Sequence, residues 1–249
     1  MRIVRVFHDD DVRYGLADES TVTLITDEPF AQWEPEGELP LSDARLMPPV
    51  TATKIVCVGL NYHDHAEELG MAVPDEPVLF LKPPTAINGP GGLIHVPDRV
   101  ETVDYEAELA VVIGRRTHKV GTAEAEKHVL GYMCANDVTA RDLQVEGGQW
   151  TLAKCWDGFC PVGPWIQTDV DVSDVAVETY VNGELRQSGR TSDMIFAVPE
   201  LVSYVSHVMT LLPGDIILTG TPAGVGPMRP GDVVEVRIEG IGSLVNEVA

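Results

Sequence analysis

Apolar positions along this chain fall into short runs of aliphatic and β-branched residues, broken by glycine, proline and acidic turns, a pattern that predicts strands far more often than helices. Ile3–Phe7 and Thr21–Thr26 are the first such runs. Glu34–Pro49, rich in Glu and Pro and without clear periodicity, reads as a connector. A denser pattern begins at Lys54–Gly59, read as a buried strand, and continues in Val78–Leu81, Glu108–Ile113, Val129–Ala135, Val175–Val181, Asp215–Thr219 and Val233–Ile238. Turn pairs such as Asn182-Gly183 and Pro230-Gly231 separate them. Few helices are predicted. Asp64–Leu69 carries helix formers and stops at Gly70; Thr122–Val129 starts on Thr122 as an N-cap; Pro199–Met209 puts Leu201, Val202, Val205, Val208 and Met209 on one stripe. The outline is an α+β, strand-dominated fold with long loops, not the regular strand–helix alternation of a doubly wound sheet.

Charge narrows the partners. The 39 acidic and 17 basic residues give a net charge of −22, and phosphate binding needs clustered Lys and Arg, so nucleic acid is excluded as a partner. Lysine is avoided almost throughout, leaving only Lys54, Lys82, Lys119, Lys127 and Lys154. A surface of this kind resembles that of proteins from salt-loving organisms, and an ordinary acidic enzyme is the alternative. Apolar runs such as Ile216–Leu218 are far too short to span a bilayer, and Asp9, Asp10, Asp11 and Arg13 interrupt residues 1–20 where a signal peptide needs an apolar stretch. Cys57, Cys134, Cys155 and Cys160 form no CxxC pair and read as reduced thiols. The expected location is the cytoplasm.

Three places carry chemistry. In Asp104-Tyr105-Glu106-Ala107-Glu108, alternation along a strand puts three carboxylates on one face, which is either a solvated face or a cation site. Asp137, just past the run Val129–Ala135, adds an acid at a second strand end. Two glutamates and an aspartate supply hard oxygen ligands suited to one Mg²⁺ or Mn²⁺. His65 and Glu68 stand three apart on a predicted helix, the spacing either of an exposed pair or of a carboxylate orienting a general base. Lys82 and Lys154 sit in apolar surroundings, as fixed charges for an anion or as snorkelling side chains. The glycine-rich stretch Thr219–Gly226 lacks the Gly-Lys-Ser/Thr of a nucleotide loop and could wrap a small carboxylate.

Taken together, the blocks VGLNYHDHAEELG, VDYEAELAVVIG, NDVTARDLQ, QWTLAKCWDGFCPVGP, VNGELRQSGRTSDMIF and LLPGDIILTGTPAGVG resemble the fumarylacetoacetate hydrolase family over roughly residues 51–249. The resemblance implies a mixed β-sandwich roll, with residues 1–50 as a small N-terminal domain and residues 51–249 as the catalytic domain, in a homodimer. It implies Glu106, Glu108 and Asp137 as metal ligands, His65 and Glu68 as a catalytic dyad on a lid, and Lys154 as a catalytic cation. Gln144 and Thr221 become substrate contacts, with Arg141 and Lys82 beside the site; Asp104 is not carried over as a ligand. The expected reaction is cleavage of a small 2-oxo acid through an enolate, by acylpyruvate hydrolysis or oxaloacetate decarboxylation. The alternative is isomerisation of a hydroxymuconate- or heptadienedioate-type acid, and the last is a metal-binding protein without activity.

Overall fold

The structure is a computed structural model and describes residues 1–68, 70–145 and 147–249. A sheet of twelve strands forms its spine. Its main path runs Pro35–Pro40, Thr21–Ile25, Asp11–Ala17, Arg2–His8, Cys160–Gln167, Val129–Asn136, Ala107–Ile113, Ile216–Leu218, Ile55–Gly59 and Val78–Lys82. A five-stranded sheet (Glu184–Arg190, Ala176–Val181, Val233–Ile238, Gly242–Val248, Leu93–Ile94) packs on one face. A small three-stranded sheet joins Thr139–Ala140, Val103–Tyr105 and Gly226–Met228. The fold is thus strand-dominated, with mixed sheets.

The central strands are covered on both faces, which is why they are largely apolar. Every residue of Ala107–Ile113 is buried. Leu109, Val111 and Ile113 join Val56, Val58 and Ile217 in a core closed by Val177, Val236 and Leu244 of the five-stranded sheet. Ala110 and Val112 face the opposite way, into a second core with Ile55, Cys57, Met133 and Leu218. Each fully buried Val, Leu or Ile contributes about 1.5–3 kcal/mol. The helix Val198–Val208 lays Leu201, Val202 and Val205 on the first core, while Val208, expected on that stripe, is exposed and Met209 caps the helix end.

Several elements differ from the sequence reading, each for an identifiable reason. The presumed connector holds two strands, Pro35–Pro40 and Arg45–Met47. The first is an edge strand that buries only Leu39, so it pairs through its backbone and needs no apolar alternation. Cys160–Gln167 contains Gly163 and Pro164, which read as punctuation, and Glu184–Arg190 buries only Gln187. The helix at Thr122 is capped by Gly121 and ends at Ala125, passing through a short 3-10 turn into the strand Val129–Asn136. The helix expected at Asp64–Leu69 spans His63–Glu68; Leu69 lies outside the described residues. Gly70 stands at φ +64°, the left-handed conformation of a glycine helix end. The N-terminal strands continue the main sheet directly, through Arg2 opposite Gln167 and Ile3 opposite Ile166.

Candidate active site

Two antiparallel strands place the acidic residues. Ala107 pairs with Asn136 and Glu108 with Ala135, so Glu106 and Asp137 meet just beyond the paired ends. That junction is fixed twice: the Asp137 N–H donates to the Glu106 carbonyl at 2.9 Å, and the Glu106 N–H donates to Asn136 Oδ1 at 2.9 Å. Glu106 lies in a break between Val103–Tyr105 and Ala107–Ile113, so the single strand expected across Asp104–Glu108 is two. One oxygen from each of Glu106, Glu108 and Asp137 lies within 4.8 Å of the others, and all three residues are buried.

Their electrostatics are unequal. Burial pushes the Glu106 carboxyl upward, but Lys154 and Arg141 outweigh it and bring its pKa down to about 2. Lys154 Nζ donates to Glu106 Oε2 and Asp137 Oδ2, each at 2.7 Å. Burial also opposes the Lys154 charge, yet Asp137 and Glu106 raise its pKa overall, so it remains an ammonium. Among the described residues no cation donates a hydrogen bond to Glu108. Burial, then Asp137 and Glu106, hold its pKa well above the carboxylate range, with only the Gly220 N–H donating to it, at 2.6 Å. Gly220 stands at φ +91°, and an added Cβ would meet Asn61 Cβ at 2.7 Å, so only glycine brings that amide to Glu108. Three buried oxygens this close, one of them without a hydrogen-bonded cation, fit a hard divalent cation.

The carboxylates floor a cavity of about 290 Å³ whose walls bring together His65, Arg141, Gln144, Lys154 and Thr221. Leu60, Met71, Phe80 and Trp150 make its outer part apolar. Arg141 donates through Nε to Asp104 Oδ2 at 2.7 Å, through Nη2 to Glu106 Oε1 at 2.6 Å, and through Nη1 to Gln144 Oε1. Asp104, expected on the same face, therefore anchors Arg141 and stands outside the acidic cluster. The His65 ring Nδ1 lies 3.1 Å from Glu68 Oε2. Glu68 also accepts from the Gly224 N–H at 3.1 Å, and Asp64 accepts from the Ala223 N–H at 3.3 Å, so the short helix is docked on the glycine-rich loop.

Lys82 stands elsewhere. It does not line the cavity. Its ammonium donates to Asp137 Oδ1, to the Val138 carbonyl at 3.1 Å and to the Phe159 carbonyl at 2.6 Å, which uses all three N–H donors. There it fixes the far oxygen of Asp137. Two residues with no sequence assignment also build the site. Asn61 donates to the Thr219 and Phe196 carbonyls, tying the chain just before the short helix to the loop that carries Gly220. Gln187 spans the acidic strand and Thr221. It sits among mostly polar, exposed residues, so nothing in the sequence sets it apart.

The sequence profile described as fumarylacetoacetate (FAA) hydrolase C-terminal matches residues 54–249, and one described as Rv2993c-like, N-terminal matches residues 1–49. The chain belongs to the fumarylacetoacetate hydrolase family. A solved structure described as 2-hydroxyhepta-2,4-diene-1,7-dioate isomerase from Mycobacterium marinum is 48% identical, covering 100% of this chain and 98% of that one at a TM-score of 0.93. The oxaloacetate tautomerase FAHD2B of Bos taurus mitochondria is 46% identical over 223 residues, 84% of this chain and 71% of the relative. Fumarylpyruvate hydrolase from Pseudomonas aeruginosa, solved with Mn²⁺ and pyruvate, is 34% identical at a TM-score of 0.75, covering 82% of this chain and 91% of that one. Members of this family with hydrolase, isomerase and tautomerase activity are enzymes, and the described residues include no helix long and apolar enough to cross a membrane.

Proposed function

We propose that this protein is a Mg²⁺- or Mn²⁺-dependent enzyme that cleaves small 2-oxo acids through their enolates, by acylpyruvate-type hydrolysis or oxaloacetate decarboxylation. The observation that carries the reading is the convergence of Glu106, Glu108 and Asp137 on the floor of a cavity that His65 overlooks. Glu106, Glu108 and Asp137 would hold the cation, which supplies Lewis-acid polarisation of a 2-oxo acid. The relative solved with Mn²⁺ and pyruvate supports that pairing of ion and ligand class.

The remaining steps belong to side chains. Lys154 keeps an N–H beyond those given to Glu106 and Asp137, and its permanent charge stabilises negative charge developing on the substrate oxygen. Glu68 accepts from Nδ1 of His65, which makes Nε2 the basic nitrogen of the ring. That nitrogen takes a proton from water in hydrolysis. Arg141 and Gln144, already joined to each other, and Thr221 orient the acid, and the apolar outer wall receives its variable arm. Docking of the helix on Ala223 and Gly224 keeps bulk water from the cavity while the base is in place.

The isomerase and tautomerase names among the close relatives favour a second reading, in which the same base moves a proton on the substrate and no bond is cleaved. Incubation with oxaloacetate, acylpyruvates and a hydroxymuconate in the presence of Mg²⁺ separates the two. Pyruvate release marks cleavage, whereas loss of the enol absorbance at constant total acid marks tautomerisation. Failure of all three substrates, with and without Mg²⁺, overturns both.

A homodimer in the cytoplasm belongs to the same proposal. The four cysteines are free, in keeping with a reducing compartment. The outermost strand Val78–Lys82 exposes Val78 and Leu81, with Val145 and Leu152 also exposed, and the oligomeric state is read by light scattering.

A further inference from the structure

Gln187 is fully buried, and its amide bridges the acidic strand and the glycine-rich loop. Its Oε1 accepts from the Ala107 N–H at 3.0 Å and from the Thr179 hydroxyl at 2.8 Å. Its Nε2 donates to the Pro222 carbonyl and to Thr221 Oγ1, both at 2.8 Å. Ala107 lies between Glu106 and Glu108, so one side chain spans the cation site and the loop behind the substrate.

The orientation of this amide is decided by its neighbours. A backbone N–H can only donate and a backbone carbonyl can only accept. Ala107 therefore fixes the amide oxygen, Pro222 fixes the nitrogen, and a flipped amide would set its NH₂ against the Ala107 N–H and its oxygen against the Pro222 carbonyl. The second hydrogen on Nε2 points at Thr221 Oγ1, which must accept. Among the described residues the Thr221 hydroxyl has no acceptor for its own proton, and Thr221 lines the cavity.

We infer that Gln187 is a positioning residue that fixes the Thr221 hydroxyl as a hydrogen-bond donor aimed into the cavity, toward the carboxylate of an incoming 2-oxo acid. A freely rotating hydroxyl offers a lone pair as readily as a proton, and a lone pair repels a carboxylate. With one lone pair taken by Gln187, the O–H turns to the anion, where a bond to a charged acceptor is stronger than a neutral one. The same amide keeps the loop in register with the strand that bears Glu106 and Glu108.

This inference rests on the proposed 2-oxo acid chemistry, and calorimetric titration of the Mn²⁺-loaded protein with oxalate separates the two. Oxalate that fails to bind the parent sinks the functional reading. Given parental binding, Thr221→Val should weaken oxalate about tenfold or more, the usual worth of a bond to a charged group, while Thr221→Ser, which keeps the hydroxyl, stays near parental. Gln187→Met should weaken oxalate in the Thr221 protein and add no further loss in the Thr221→Val protein, with Mn²⁺ affinity near parental throughout. A Gln187→Met loss of equal size in both backgrounds, or one that follows Mn²⁺ affinity, shows a merely structural role. Parental oxalate binding by Thr221→Val overturns the inference even where Gln187→Met does not fold.

Discussion

Replacement of Glu108 by Gln should make the cation-free protein more stable and the cation-loaded protein less so. Glu108 is buried within 4.8 Å of carboxylate oxygens of Glu106 and Asp137, and neither Lys154 nor Arg141 bonds to it. At an effective dielectric constant of about 20, two unit charges 4.8 Å apart repel by roughly 3.5 kcal/mol, so two such neighbours threaten about 7 kcal/mol. Attraction to the Lys154 ammonium and uptake of a proton relieve most of this, which is why the Glu108 pKa lies well above its ordinary value. A glutamine keeps the shape and still accepts from Gly220. The expected gain in chelator is about 1–3 kcal/mol, near the upper range of single substitutions, or roughly 3–10 °C in Tm for a chain of this size. The sign with pH follows from the raised pKa. The folded state binds this proton more tightly than the unfolded chain, so stability falls as pH rises from the unfolded value through the folded one. The advantage of Glu108→Gln should therefore be small in acid and grow toward neutral and alkaline pH. Saturating Mn²⁺ should reverse the order, because the parent displaces the proton and gains a ligand that the variant lacks. Melting curves in EDTA and in Mn²⁺, from pH 5 to 8, read all of this. A variant less stable than the parent in EDTA at every pH, or one stabilised by Mn²⁺ as much as the parent, refutes the reasoning.

His65→Ala should lower acylpyruvate hydrolysis by about a hundredfold or more, the common worth of a positioned base, while oxalate affinity stays near parental; Glu68→Gln should cost less. Parental rates in both would leave the pair a helix surface contact and favour isomerisation by another group. Lys82→Met leaves the buried Asp137 without one of its cations, and denaturant unfolding in chelator should show a loss of about 3–5 kcal/mol. An unchanged midpoint would refute the anchoring role of Lys82. Thermal midpoints should climb with KCl beyond the range of ordinary screening, as a net charge of −22 implies, and a flat trend would return the acidic surface to ordinary enzyme character.

The legible part of the fold was the part whose side chains are selected twice, once by the strand and once by the core. Ala107–Ile113 and Ile55–Gly59 are packed on both faces, so apart from Glu108 their residues are small or apolar and the strands stand out. Pro35–Pro40 and Glu184–Arg190 are held chiefly by backbone pairing, and backbone pairing leaves no mark in the order of side chains. The acidic residues were visible as a group because their type is unusual beside a buried strand. Their division of labour was not. Asp104 and Glu106 share a strand face on paper, yet a break at Glu106 gives Asp104 to Arg141 and Glu106 to the cluster. Lys82 shows the same limit: a lysine in an apolar run signals a fixed charge, but only the carbonyls of Val138 and Phe159 reveal that it is fully occupied within the protein.

Charge balance explains why so lysine-poor a chain buries two of its five lysines here. Once Glu108 gives up its proton, Asp104, Glu106, Glu108 and Asp137 stand against Lys82, Arg141 and Lys154, which leaves one negative charge in a low-dielectric pocket. Without those cations the carboxylates would take up protons and lose their affinity for a metal. With a fourth cation the pocket would be neutral and a divalent ion would gain little from it. That residual negative charge would favour a divalent ion over the proton on Glu108, and the ion would turn the balance to one positive charge. That sign would draw in the carboxylate of the proposed 2-oxo acid, which an exterior of net charge −22 would otherwise repel. In the proposed chemistry cation binding would precede substrate binding, and an anion such as oxalate should bind the cation-free form only weakly.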